Sequence, residues 1–364
     1  MHKNQGHVYY SDYLKLTQFL SAQEPLSKKF ATEKTPEAHD EMLFIIVHQA
    51  YELWFKQILH DLDSVISCFQ KPNLDESYFG VILQRLERIT HIQNMLLMYL
   101  PILETMTPMD FLEFRNLLIP ASGFQSMQFR EIEIKLGLRT GDRASVDREF
   151  FSGRLSEADR NHMIHLETAP SLLKLMEHWL ERMPFAVVEG FNFWSDYQKT
   201  IANMLNDDEQ TILQNAAKLD DVNKKAQLDN LQVTRDSFDS LFNEEKHQAA
   251  VQSGQRKISR QAILNGLFIM LYRDEALLNP PFQLLKRLMD IDENFTTWRY
   301  RHMLLAQRML GSKIGTGGSS GHTYLKRSAD GNRVFIDLFN LSTYLIPRSM
   351  LPQLPDNLKR KLNF

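Results

Sequence analysis

Between Asp40 and Phe69 the apolar positions Phe44, Val47, Tyr51, Phe55, Ile58, Leu62 and Val65 recur in steps of three and four. That period paints one face of a long helix. The same rhythm runs from Tyr78 to Leu103 through Phe79, Ile82, Leu86, Ile89, Ile92, Leu96 and Leu100. Shorter helices are predicted over Met109–Leu118 and Phe124–Leu136, parted by Ile119-Pro120-Ala121-Ser122-Gly123, and over Ser171–Arg182, bounded by Pro170 and Pro184. Ile258–Tyr272 reads as a buried helix. Asn279-Pro280-Pro281 reads as a helix start, with Asn279 as N-cap and the prolines in the first turn, where a missing N–H is tolerated. The helix it opens runs to Leu310 and stops at Gly311.

One stretch breaks the pattern. Leu205–Gln255 is rich in Asp, Asn, Gln and Lys, with sparse anchors at Ile212, Ala216, Leu219, Leu228, Phe238 and Leu241. It is read as an exposed helical hairpin or small subdomain; the rival is disorder, against which the helical spacing of the anchors argues. The expected class is all-α: a helical bundle core with a small helical subdomain. Its organisation is an N-terminal arm (1–38), a core in two parts (39–204 and 256–364) and the hairpin (205–255).

Composition narrows the function classes. The chain has 364 residues, 43% hydrophobic and 24% charged, the balance of a folded protein. A net charge of −3 offers no broad field for nucleic acid. The opening Met-His-Lys-Asn-Gln-Gly-His has no apolar run of the kind a secretory signal carries, and no apolar run is long enough to span a bilayer. A single cysteine, Cys68, excludes a disulfide within the chain and any cysteine-rich zinc site. These features set the expectation of a cytoplasmic protein.

Two histidines stand on apolar faces of long helices. His302 lies on the stripe Phe295, Trp298, His302, Leu305, Met309, and His48 lies among Phe44, Ile45, Tyr51 and Phe55. Either can be a core histidine or a haem ligand, since a neutral imidazole on a rigid helix suits axial ligation; periodicity does not choose between them. His162 and His165, three apart, read as part of a solvated segment, and His39-Asp40-Glu41 as a charged helix entry where acids suit the dipole. The segment Gly311–Gly321 holds five of the 15 glycines. It lacks the P-loop lysine, and no strand precedes it as a dinucleotide site needs. Gly317-Gly318-Ser319-Ser320-Gly321 matches the nucleophile-elbow string, but a helix precedes it and no histidine follows His322. A lid closing over a polar ligand group, with Thr316 contributing its hydroxyl, is the reading that remains beside a plain turn. Arg115, after Phe111 and Phe114, is either a surface snorkeller or a fork for a carboxylate.

Six segments, most of them long, together carry a family resemblance. They are His39–Leu59, Phe114–Arg130, Gly190–Trp194, Pro281–Leu285, Arg308–Gly321 and Asp337–Pro347. On them the chain resembles the tryptophan 2,3-dioxygenases along nearly its whole length. The resemblance implies one haem b per subunit, ferrous in the active state, and insertion of O2 across the indole C2–C3 bond of L-tryptophan. The product is N-formylkynurenine, in the first step of the kynurenine pathway. It implies His302 as the iron ligand, His48 as the distal histidine facing the indole N–H, and Arg115 and Thr316 on the amino-acid end. Phe44 and Phe111 would wall the indole, and Ser122 and Trp298 would lie against haem. Tyr10, Tyr13 and Leu14 match an arm that reaches a neighbouring subunit, implying a homotetramer built as a dimer of dimers. Phe111 stands where some bacterial members have tyrosine, and His322 where an aromatic or apolar residue is common. The alternatives are a non-catalytic haem sensor, a haem dioxygenase for another indole, and a cofactor-free interaction protein.

Overall fold

The computed structural model describes residues 6–71, 74, 76–121, 123–139, 157–183, 187–188, 191–215, 221–311 and 321–363. Among them the only strands are the two-residue pair Val187–Val188 and Phe191–Asn192, antiparallel. All else regular is helical.

Three short helices form the arm: α1 (Tyr10–Leu14), α2 (Leu16–Leu20) and α3 (Leu26–Lys29). The core begins with α4 (Asp40–Phe69) and α5 (Glu76–Leu103), then α6 (Pro108–Arg115), α7 (Met127–Leu136), α8 (Glu157–Thr168) and α9 (Leu172–Glu181). The polar hairpin follows as α10 (Phe193–Gln214), α11 (Asp221–Phe242) and α12 (Glu244–Gln252). The chain re-enters the core through α13 (Arg260–Leu271) and α14 (Asn279–Leu310), and closes with α15 (Gly321–Gly331), α16 (Ile336–Asn340) and α17 (Asp356–Leu362). No helix among the described residues is long and apolar enough to cross a membrane.

The centre is the trio α4, α5 and α14, with α7 and α9 against α4 and α15 along α14. The predicted apolar stripes are the buried ones: Val47, Phe55, Leu62 and Val65 of α4 pack with Ile82, Leu86 and Ile89 of α5. Each fully buried leucine, such as Leu62 or Leu86, contributes roughly 2 kcal/mol over its exposed state.

Local chemistry explains most boundaries. Thr107 caps α6 in a capping box with Asp110, and Pro108 takes the first turn. Ser126, Ser171, Asn192 and Ser259 cap α7, α9, α10 and α13. Gly311 ends α14 at a φ of +58°. Asn279 is not the N-cap expected of it: it is the first helical residue, and its side-chain amide donates to the Arg273 carbonyl. The first helix of the hairpin starts at Phe193, so α10 runs through the 204/205 boundary and its inner half, with Tyr197 and Ile201, belongs to the core.

Buried charges orient α14. Asp292 accepts from the backbone N–H groups of Val334 (3.0 Å) and Phe335 (3.1 Å). Arg299, one helix face away from solvent, donates to Asn332 O (2.8 Å) and to Glu133 of α7 (2.7 Å), whose other oxygen accepts from Arg130. Groups this deep are tolerated only when paired, so the network fixes the rotation of α14 and the face on which His302 sits.

Candidate active site

Three helices converge on one cleft. α4 supplies Phe44, His48 and Tyr51; α6 supplies Phe111, Phe114 and Arg115; α14 supplies Trp298 and His302. Both α4 and α14 pack on α6.

The aromatic wall is continuous. Phe44 meets the His48 ring at a centroid distance of 4.0 Å, Phe111 at 5.9 Å and Phe114 at 5.6 Å, and Phe111 meets Phe114 edge-on at 5.4 Å. On the far side Trp298 lies 5.0 Å from the His302 ring and 5.2 Å from Phe129 of α7. Phe55, Leu96, Phe129, Phe295 and Trp298 bound a small apolar cavity behind it.

His48 is open to solvent at the surface of the cleft, yet surrounded by enough protein that burial pushes its pKa below the usual histidine value. An accessible ring with a strong desolvation effect is what a cleft wall produces, and the imidazole is neutral near pH 7. Its Nδ1 lies 2.7 Å from the carbonyl of Phe44, one turn back. Nδ1–H is therefore the donor, and Nε2 is left with its lone pair toward the cleft.

His302 is half-buried and more strongly perturbed. Burial, with a smaller contribution from the nearby His48, lowers its pKa to about 4. Its Nδ1 is buried, and no described residue hydrogen-bonds to it. A neutral imidazole on a rigid helix, packed against an indole, has a ring nitrogen lone pair of the kind that ligates haem iron. No group of three or more His, Cys, Asp or Glu capable of holding a metal ion exists among the described residues, so a multi-ligand ion site is not the alternative there.

Arg115 is half-buried at the end of α6, within the last turn that carries Phe111 and Phe114. Thr316 and Ser122 lie outside the described residues, as does the side chain of His322. His162 is exposed and pairs with Glu131 at 3.2 Å, as a solvated histidine would. Tyr10 and Tyr13 are each 76% exposed and Leu14 41%; the cleft of the same chain does not bury them.

Two features escaped the sequence reading. Glu41, taken for a helix-entry acid, is buried and accepts from the backbone N–H groups of Leu26 and Ser27, both at 2.8 Å, pinning the arm's base to α4. Tyr51, read only as an apolar-face residue, accepts a hydrogen bond from the Trp298 indole.

Comparison with known proteins agrees on one family. The family model described as tryptophan 2,3-dioxygenase matches residues 1–345. The chain is 46% identical over 364 residues to a tryptophan 2,3-dioxygenase of Alteromonas mediterranea, covering 100% of this chain and 99% of the relative. It is 49% identical over 357 residues to one of Bdellovibrio bacteriovorus, covering 98% of each. With one of Dictyostelium discoideum it shares 45% identity over 358 residues, covering 98% of this chain and 88% of the relative.

Proposed function

Because the chain belongs to the tryptophan 2,3-dioxygenase family, we propose that it inserts both atoms of O2 across the indole C2–C3 bond of L-tryptophan, giving N-formylkynurenine. The observation that carries the residue-level reading is the pair of neutral histidines: His48 with Nδ1 held by the Phe44 carbonyl, and His302 with Nδ1 buried and unpartnered.

His302 would hold the iron of a haem b, with Trp298 against the macrocycle and Ser122 at its edge. When bound and ferrous, that group supplies the binding and activation of O2. The chain's own residues position the substrate. His48 Nε2 accepts the indole N–H, which orients the ring without removing its proton. Phe44 and Phe111 wall the indole, and their apolar faces exclude water from the reacting edge. Arg115 receives the substrate carboxylate in its planar fork, with Thr316 adding a hydroxyl at the amino-acid end. With both ends held, one face of the C2–C3 bond is presented to O2.

The exposed apolar run Tyr10, Tyr13 and Leu14 supports an arm that covers a neighbour's site in a homotetramer, a dimer of dimers. The proposed compartment is the cytoplasm. A sensor on the same scaffold has no need of His48 and Arg115 in one cleft, so catalysis is the favoured reading.

The test is direct. The protein is reconstituted with haem, reduced without oxygen and mixed with air and L-tryptophan. Absorbance of N-formylkynurenine should rise only when both haem and O2 are present. Haem binding without product would overturn the reading.

A further inference from the structure

A histidine that ligates a metal is usually oriented by a hydrogen bond on its other ring nitrogen. His302 has none among the described residues: its Nδ1 is buried and unpartnered. Its orientation therefore depends on packing, and the wall it packs on is Trp298, one turn earlier on α14, at 5.0 Å and 31° between the rings. What fixes Trp298 then decides how His302 is aimed.

Trp298 is held at its polar end. Its Nε1–H donates to the Tyr51 hydroxyl at 3.3 Å, and Tyr51 donates in turn to the carbonyl of Leu96 at 2.6 Å. The order donor, donor–acceptor, acceptor is a chain in which each bond polarises the next. Tyr51 is buried, and burial raises its pKa to about 12, so the hydroxyl keeps the proton the chain needs. Its ring is braced edge-on by Tyr99 at 5.8 Å, and Tyr99 accepts from the Trp54 indole at 3.3 Å. A phenylalanine at 51 would keep the ring's edge contact with Trp298, at 6.1 Å between centroids, and lose only the hydroxyl's hydrogen bond.

We propose that Tyr51 is a positioning residue for the cofactor site: through the Trp298 indole it sets the orientation of the His302 ring. Tyr51 lies three residues after His48, on the same turn of α4. One turn of α4 thus addresses both sides of the cleft, the substrate side through His48 and the ligand side through Tyr51. The inference rests on the haem reading given above and goes further by assigning a role to a residue on the opposite helix.

The test is a cycle of four apoproteins: wild type, Tyr51→Phe, Trp298→Phe and the double variant. Each is titrated with haem while the Soret band is followed, and the iron midpoint potential is measured at saturation. Thermal unfolding of each apoprotein reports its folding. Tyr51→Phe is expected to weaken haem affinity roughly fivefold, the size of one lost neutral hydrogen bond, and to shift the Soret maximum and the potential. Trp298→Phe should do at least as much, and the double variant should be no worse than Trp298→Phe alone, because Tyr51 acts through Trp298. A Tyr51→Phe protein with wild-type affinity, Soret maximum and potential overturns the inference, as does a double variant whose loss is the product of the two single losses. A wild type with no Soret band overturns the haem reading and this inference together. A wild type that binds, matched by Tyr51→Phe, overturns this inference alone.

Discussion

His48 of α4 and His302 of α14 stand on two of the longest helices, and burial lowers the pKa of both; they differ in what holds Nδ1. In His48 the carbonyl one turn back takes the Nδ1 proton, so the tautomer is set by the helix itself and Nε2 can only accept. In His302 nothing among the described residues takes it, and the ring is aimed by the Trp298 wall. The same residue type on the same kind of apolar helix face is thus proposed to act as an acceptor in one case and as a ligand in the other. The difference lies in one backbone carbonyl and one neighbouring indole.

The strongest way to break the comparison is at the ligand. His302→Ala is expected to lose haem on gel filtration and all turnover; a variant that keeps both would move the ligand elsewhere. Next comes the amino-acid end. Tryptamine lacks the carboxylate assigned to Arg115, and its kcat/KM should fall by ~100-fold or more against L-tryptophan, since a polar subsite discriminates strongly against an analogue without the group it binds. Equal rates would remove Arg115 from that role.

A smaller effect is expected at the acceptor. His48→Ala should keep haem and measurable turnover, with kcat/KM down about tenfold, the scale of one hydrogen bond. The pH profile sharpens the point. His48 accepts only when unprotonated, and its pKa is lowered, so kcat/KM should hold as pH falls through the usual histidine value of 6.5 and decline only in more acid solution. A His48-dependent decline centred at or above 6.5 would contradict the neutral cleft. Smallest of all is Thr107→Ala. Loss of the capping box on α6 should cost about 1 kcal/mol by denaturant unfolding, with haem affinity unchanged.

Much of this architecture was legible because helical period is a local property. Asp40–Phe69 was read to both ends, and Glu76–Leu103 to within two residues of its start, since their stripes meet the core without interruption. Composition turns polar near Leu205, whereas the helix that enters this stretch begins earlier, at Phe193, capped by Asn192. Asn279 failed as a cap because tertiary contact with Arg273 took its side chain. Within the site, periodicity put His48 and His302 on apolar faces but could not rank them; only the family resemblance did. Glu41 and Tyr51 were out of reach for a different reason. Their roles lie in single polar atoms meeting partners 14 and 247 residues away, and no spacing rule encodes such pairs.

The most direct measurement is of the two ring tautomers. Protein labelled with ¹⁵N-histidine is examined at pH 7 as the apoprotein and again with zinc protoporphyrin, a diamagnetic stand-in for haem. The account predicts both rings neutral in the apoprotein, His48 carrying its proton on Nδ1, and only His302 moving to a metal-bound shift when the porphyrin is added. A His48 with its proton on Nε2, or a His48 that moves to the metal-bound shift in place of His302, would contradict the division of roles between the two histidines.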